Sequence, residues 1–143
     1  DNGLRWHVRA FDRKSQSFRD FVLTRISKVT IKDTPDEDES AQTDTEWQRL
    51  IPLQLVPHPK NVEHPTAIEM DYGMENQQLR IEVRAAMAGY LLRRWNVDCT
   101  ERGTLKGAEY QLWLQNRFTL NNVQNLAIAP GYEAKGNGSG GGN

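Results

Sequence analysis

Residues 4–26, LRWHVRAFDRKSQSFRDFVLTRI, constrain this chain more than any other stretch. Hydrophobic and polar positions alternate with a period of two, and the residues are β-branched or aromatic where a strand favours them. Trp6, Val8 and Ala10 fall on one face of a first strand, and His7, Arg9 and Phe11 on the other. In a second strand Arg19, Phe21, Leu23 and Arg25 share a face, opposite Phe18, Asp20, Val22 and Thr24. The polar run from Asp12 to Ser17 is a hairpin loop. The expectation is a paired sheet carrying His7 and Arg9 beside Arg19 and Arg25. The competing reading of the same four residues is an ordinary solvated strand face.

Charge supports the first reading. Residues 1–32 hold eight Lys or Arg against three Asp, a net of +5, whereas residues 33–47 hold seven acidic residues and no Lys or Arg. A basic first segment suits an anionic ligand. The overall net charge of −1 argues against strong duplex-DNA binding by this piece alone. The single cysteine, Cys99, excludes an internal disulfide and zinc-site spacing, and points mildly to a reducing compartment, the cytoplasm. No apolar run is long enough to span a bilayer as a helix, so no membrane partner is expected. The chain opens at Asp1 rather than Met, two residues before the first strand, which predicts a piece of a longer protein.

Residues 33–46 have no apolar periodicity and read as an acidic, mobile linker between a first unit, residues 1–32, and a second, residues 47–131. The acidic run lacks the spacing of a calcium loop. In the second unit Leu50 to Val56 is a strand whose Pro52 places it at a sheet edge or leaves it paired on one side there. Asn61 or Thr66 caps a helix ending near Tyr72, with Gly73 as its stop. Leu79, Ile81 and Val83 alternate in a further strand that runs into a helix from Arg84 to Trp95. Met87, Tyr90, Leu91 and Trp95 recur there at helical spacing. Gly89 inside that helix predicts close approach of another backbone or sheet. Glu109 to Leu114 alternates as a third strand, and residues 118–128 form either a helical turn or a short strand. Residues 132–143, rich in glycine, read as a flexible tail. The order β–α–β–α–β predicts a small α+β unit with helices on one face of its sheet.

These pieces resemble a known family. Trp6-His7-Val8-Arg9-Ala10-Phe11 followed by Phe18-Arg19-Asp20-Phe21-Val22-Leu23-Thr24-Arg25-Ile26 looks like the closing strands of a WYL domain. That family is named for a Trp-Tyr-Leu triplet preceding a strand of this F-R-x-F-x-L-x-R-I form. The WHVRA variant resembles the branch found in bacterial phage-defence regulators. IPLQLVPHP, AIEMDYGM and LRIEVRAAMAGYLLRRWNVD resemble the C-terminal extension that follows such domains, so the likeness covers residues 3–98. It departs at the triplet, where His7 stands for Tyr.

The resemblance implies an α+β fold class: a partial Sm/SH3-like β-barrel, present as a strand hairpin, followed by a small α+β extension domain. It implies a ligand-sensing and dimerising part of a non-enzymatic transcriptional regulator without cofactor. The partners would be an anionic nucleotide or single-stranded nucleic acid, a second copy in a homodimer, and operator DNA read by an N-terminal winged helix-turn-helix. His7, Arg9, Arg19, Phe21 and Arg25 would bind the ligand. Arginine gives planar, permanently charged donors for phosphate, and Phe21 a face for a base. Tyr90, Arg93 and Arg94 would contact the second protomer, unless they form a plain exposed helix face.

Other readings of the residues are a purely architectural dimerisation module and an accessory regulatory domain of a nucleic-acid enzyme. His58 and His64, with prolines around them and no third ligand in register, bracket the helix start rather than bind metal. Asp20 orients an arginine. Cys99 lacks an activating neighbour and is a structural thiol.

Overall fold

A computed structural model describes residues 5–132; the expected glycine-rich tail lies almost wholly outside them. The hairpin forms where the alternation places it. Strands β1 (His7–Asp12) and β2 (Ser17–Val22) pair antiparallel, Arg9 opposite Asp20 and Phe11 opposite Phe18. The Asp12 carboxylate holds the turn by accepting the Lys14 N–H and the Ser15 hydroxyl. The second strand stops four residues before the expected Ile26, because Val22 already faces the first residue of β1. One further rung, Leu23 N–H to the Trp6 carbonyl, closes the ladder, and Leu23–Arg25 turn off as a 3-10 helix. Among the described residues the hairpin is a two-stranded sheet, and no closed barrel forms.

The segment expected to be a mobile linker has local order. Glu37–Glu39 and Ala41–Thr43 are 3-10 turns, and Thr45–Gln48 is a short helix, α1, whose N-cap Asp44 accepts the Trp47 N–H. Composition argued for mobility because the acidic side chains find no partners nearby in sequence. The partners of Glu39 and Asp44 lie on the hairpin.

A four-stranded sheet follows, in the order β4-β3-β6-β5. It comprises β3 (Leu50–Pro57), β4 (Leu79–Arg84), β5 (Val97–Asp98) and β6 (Leu112–Leu114). β3 is antiparallel to both neighbours, and β5 runs parallel to β6. β3 is therefore internal, yet Pro52 is strand-paired only toward β4, since pairing with β6 begins at Leu55. There the Asn116 side chain takes the place of a strand. Its Oδ1 accepts the Gln54 N–H at 2.9 Å and its Nδ2 donates to the Pro52 carbonyl at 3.0 Å.

Helix α2 (Pro65–Asp71) connects β3 to β4. Proline opens it after His64, with no side-chain cap, so neither Asn61 nor Thr66 plays the expected part. It ends as expected at Gly73, whose φ of +60° suits glycine. Leu53, Leu55, Leu112 and Leu114 of the sheet are fully buried together with Leu92 of helix α3 (Ala85–Arg94). The third strand is shorter than the alternation from Glu109 predicted. It spans only the residues that β3 and β5 can pair. Beyond it, Arg117–Leu120 and Leu126–Ile128 are 3-10 turns that bury Leu120 and Leu126.

The core side of α3 agrees with the expected one at Leu91 and Trp95, half-buried against the core, and differs at Met87 and Tyr90. Ala85, Ala86, Ala88, Gly89 and Leu92 are buried, while Met87 is exposed and Tyr90 half-buried toward the hairpin. Small residues let the helix approach its neighbours closely. A Cβ on Gly89 would run into the Asn125 carbonyl oxygen and lie 2.8 Å from Ile128 Cγ1. The same loop is tied to the helix by Asn125, which accepts the Gly89 N–H and donates to the Ala86 carbonyl. Gly89→Ala should therefore destabilise the chain by about 1–3 kcal/mol through overpacking, although alanine alone favours a helix by about 1 kcal/mol. Urea unfolding of the variant measures the sign directly.

Candidate functional site

Residues directly opposite each other in an antiparallel pair share a face. The register of the hairpin therefore sorts its charged groups into two sets. His7, Arg9, Phe11, Phe18, Asp20 and Val22 form an inner face. Val8, Ala10, Asp12, Ser17, Arg19 and Phe21 form an outer one. The expected cradle of His7, Arg9, Arg19 and Arg25 on one face is corrected by this pairing. Arg9 meets Asp20 rather than Arg19, and Arg25 sits on the 3-10 turn beyond the strand. Alternation fixes which residues of one strand share a side, but a slip of one residue in pairing exchanges the faces.

The inner face is organised around Arg9. Its Nε donates to Asp44 Oδ2 at 2.5 Å and its Nη2 to Asp44 Oδ1 at 2.9 Å, a bidentate fork. Its Nη1 donates to Asp20 Oδ1 at 3.2 Å. Asp20 thus orients an arginine, as its position suggested. It also accepts the Tyr90 hydroxyl from α3 at 2.7 Å. The Arg9 guanidinium joins the hairpin to the α1 cap, and Asp20 joins it on to α3. The hydrogen bond to Asp44 raises the Arg9 pKa further, against its own burial. Burial pushes the Asp44 carboxyl up, but the Arg9 bond, the Trp47 N–H and the Arg9 charge outweigh it and hold the group below the usual carboxylate range. Burial raises the Tyr90 phenol strongly, and the bond to Asp20 adds to the rise, so Tyr90 remains a donor. A second fork, Arg13 to Glu39 at 2.5 and 2.7 Å, ties the hairpin turn to the acidic segment. Arg13 is largely exposed, so that pair contributes little.

Between the inner face, the acidic segment and α3 lies a cavity of about 550 Å³. His7, Arg9, Phe18, Asp20, Trp47 and Tyr90 are among the residues on its walls. The His7 and Tyr90 rings are 5.1 Å apart. His7 Nδ1 is buried without a hydrogen-bond partner. The cavity brings together His7 and Arg9 of the expected ligand set with Tyr90, and leaves out Arg19, Phe21 and Arg25. On the outer face Phe21 and Arg19 are exposed, Arg19 being 3.5 Å from Asp12, and Trp6 is 68% exposed. Tyr90 uses its hydroxyl within its own chain, whereas Arg93 and Arg94 are exposed at the C-terminal end of α3, where the helix dipole favours cations.

A separate buried pair underpins the extension. His58 Nδ1 accepts the backbone N–H groups of Lys60 and Asn61 at 3.1 Å each. Nε2 therefore carries the ring proton and donates to Asp98 Oδ2 at 2.8 Å. Asp98 also accepts the N–H groups of Thr100 and Leu105. Burial pushes the Asp98 carboxyl up, but these bonds prevail and its pKa is lowered. His58 thus brackets the turn after β3 rather than the helix start, and His64 is exposed at the N-cap of α2. Burial pushes the Cys99 thiol up to about 12, which suits an unreactive side chain. Among the described residues no group of three or more His, Cys, Asp or Glu is arranged to hold a metal ion, and no helix is long and apolar enough to cross a membrane.

Sequence reasoning missed Asp44 and the cavity. The pattern Asp44-Thr45-Glu46-Trp47 is a helix-capping signal that could have shown where the acidic run becomes ordered. Nothing local marks His58 and Asp98 as partners, since 40 residues separate them.

Residues 50–120 match the family described as BrxR transcriptional regulator, C-terminal dimerization domain. Over 123 residues the chain is 35% identical to the DNA-binding transcriptional repressor CapW of Pseudomonas aeruginosa, covering 85% of this chain and 40% of that protein. It is 34% identical over 117 residues to the DNA-binding transcriptional repressor CapW of Escherichia coli strain KTE188, covering 81% of this chain and 38% of that protein. The chain thus spans about 40% of the length of these relatives. Both comparisons agree with the likeness, read from residues 3–98, to the C-terminal part of a transcriptional regulator.

Proposed function

Given that this chain belongs, through residues 50–120, to the family of BrxR-type regulator C-terminal dimerization domains, we propose that it is the dimerising and ligand-responsive part of a bacterial DNA-binding transcriptional repressor. In this reading the hairpin closes a WYL-type module, as in phage-defence regulators. A winged helix-turn-helix outside these residues reads operator DNA in the cytoplasm. The ligand is an anionic nucleotide or single-stranded nucleic acid. It lies on the outer strand face, where Arg19 supplies the phosphate contact, Phe21 the stacking surface, and Arg25 a further cation on the following turn. His7 and Arg9 support that face from behind. The Arg9 donors are directed at Asp44 and Asp20.

One observation carries the proposal. Arg9 bonds the hairpin to both the α1 cap and, through Asp20 and Tyr90, helix α3. A ligand held on the strands therefore acts on the same body as the dimerization unit. A ligand that prefers one dimer arrangement changes operator affinity by linkage. Arg93 and Arg94, at the exposed end of α3, are the residues assigned to the contact between protomers.

Calorimetric titration of single-stranded oligonucleotides and nucleotides at low salt, into the regulator with its whole sensory module, tests this reading. Each charge-assisted bond to phosphate contributes roughly 1.5–3 kcal/mol, so Arg19→Ala should weaken binding about ten- to a hundred-fold. No binding to any of these probes, or binding unaltered in Arg19→Ala plus Arg25→Ala, overturns the ligand assignment. A second reading, a purely architectural dimer module, is favoured by the neutralisation of Arg9 within the chain. It predicts a dimer in sedimentation with no nucleotide binding. An accessory role in a nucleic-acid enzyme has less support, since the relatives are named repressors.

A further inference from the structure

The cavity on the inner side of the hairpin stands apart from the outer strand face, and its chemistry points the opposite way. We propose that it is a binding site for a small organic cation, an amine carried on a ring-sized apolar body. The wall charge comes first. Asp20, Glu39 and Asp44 line the cavity against the single guanidinium of Arg9, and Arg13, outside the wall, pairs with Glu39, which leaves a formal excess of one negative charge. The Arg9 donors are directed at Asp44 and Asp20, so the guanidinium has little to offer an incoming anion. An anion there would meet carboxylates, and like charges brought together across a contact cost several kcal/mol.

The wall surface comes second. Phe11 and Phe18 lie edge to face with centroids 5.2 Å apart, and Trp47 and Tyr90 also line the space. Aromatic faces carry negative electrostatic potential and attract cations, most of all where water is displaced. A volume of about 550 Å³ is within the range of small-molecule sites. The third observation is His7 Nδ1, a buried nitrogen with no partner in a residue on the cavity wall. Nearly all buried polar atoms in proteins are satisfied, and an orphan calls for a specific explanation. The orphan nitrogen marks an open hydrogen-bonding position on the wall, which an ammonium N–H fills when the ring proton sits on Nε2. Negative walls and aromatic surface select the same ligand class, and the open position at His7 Nδ1 gives it a hydrogen-bonding partner.

Three probes of one shape separate charge from fit: phenethylamine, 2-phenylethanol and phenylacetate. Each is titrated at low salt into this chain, with amide chemical-shift changes followed by NMR into the millimolar range. Phenethylamine should bind at least about tenfold more tightly than the alcohol, and phenylacetate should not bind. Shifts should centre on β1, α1 and α3. His7→Phe keeps a ring but removes both ring nitrogens, and should weaken the amine several-fold. Glu39→Gln, a change at a pair reaching an exposed arginine, should narrow the gap between amine and alcohol without unfolding the chain. Equal binding of all three probes, preference for phenylacetate, or no shift with any of them overturns the proposal. Nucleotide binding on the outer face should survive Glu39→Gln, so either ligand assignment can fail without the other.

Discussion

Arg9→Met will cost the chain about 3 kcal/mol of stability and will release the hairpin from the rest of the molecule. The Arg9 side chain is 16% exposed, and its partners Asp20 and Asp44 are 19% and 4% exposed. Removing one member of a buried ion pair costs about 3–5 kcal/mol, because the charge left behind is neither paired nor solvated. Partial access of water to Asp20 places this case at the lower end. Asp44→Asn added to Arg9→Met should recover part of the loss, since asparagine removes the stranded charge and still caps α1. The pH dependence has a defined sign. Asp44 is held below its ordinary value, so its contribution is full above the unfolded carboxylate pKa near 3.9 and disappears as pH falls through the folded value. Wild type should lose stability on acidification. The gap between wild type and Arg9→Met should narrow as pH falls, because the carboxyl stranded in the variant gains its proton before the paired one in wild type. Urea unfolding at neutral and acid pH measures both effects.

The second large effect is expected from a change that alters almost no volume. Asp98→Asn should destabilise the extension by about 3 kcal/mol, nearly as much as Asp98→Ala. Asp98 receives donors on both oxygens: Thr100 N–H on Oδ1, and His58 Nε2–H with Leu105 N–H on Oδ2. An asparagine must present its amino group to one side or the other, and on either side it meets a donor. His58 cannot turn to accommodate it without surrendering the two backbone N–H groups on Nδ1. Thermal unfolding of Asn and Ala variants side by side tests this. An asparagine variant as stable as wild type would show that the network rearranges at no cost.

What was legible in the sequence follows from the range over which each cause acts. Ile51, Leu53 and Leu55 announced a half-buried strand because alternation is local, and they are buried. Gly89 announced a close approach because nothing else explains glycine inside a helix, and Asn125 lies against it. Pro52 announced one-sided pairing, which Asn116 completes. The site itself was only half legible. Residue types marked the hairpin as charged and aromatic, but register decides which charges meet, and register depends on the turn. The ordering of the acidic segment was hidden for a related reason. Its carboxylates bond to residues 26 and 35 positions away, where no window on the sequence reaches. The core side of α3 was half legible: Leu91 and Trp95 pack against the core, but hydrophobic weight also drew attention to Met87 and Tyr90, while the closest contact was made by alanines and glycine.

Amide hydrogen exchange tests most directly whether hairpin and extension form one body held by Arg9. A two-stranded hairpin is at best marginally stable by itself in water, so lasting protection of its amides requires docking. In wild type the β1 and β2 amides should be protected well above the level of a free hairpin. Arg9→Met should then speed their exchange at least about tenfold while the Leu53 and Leu114 amides keep their protection. Hairpin amides that already exchange freely in wild type, or that are unmoved by Arg9→Met, would contradict the account.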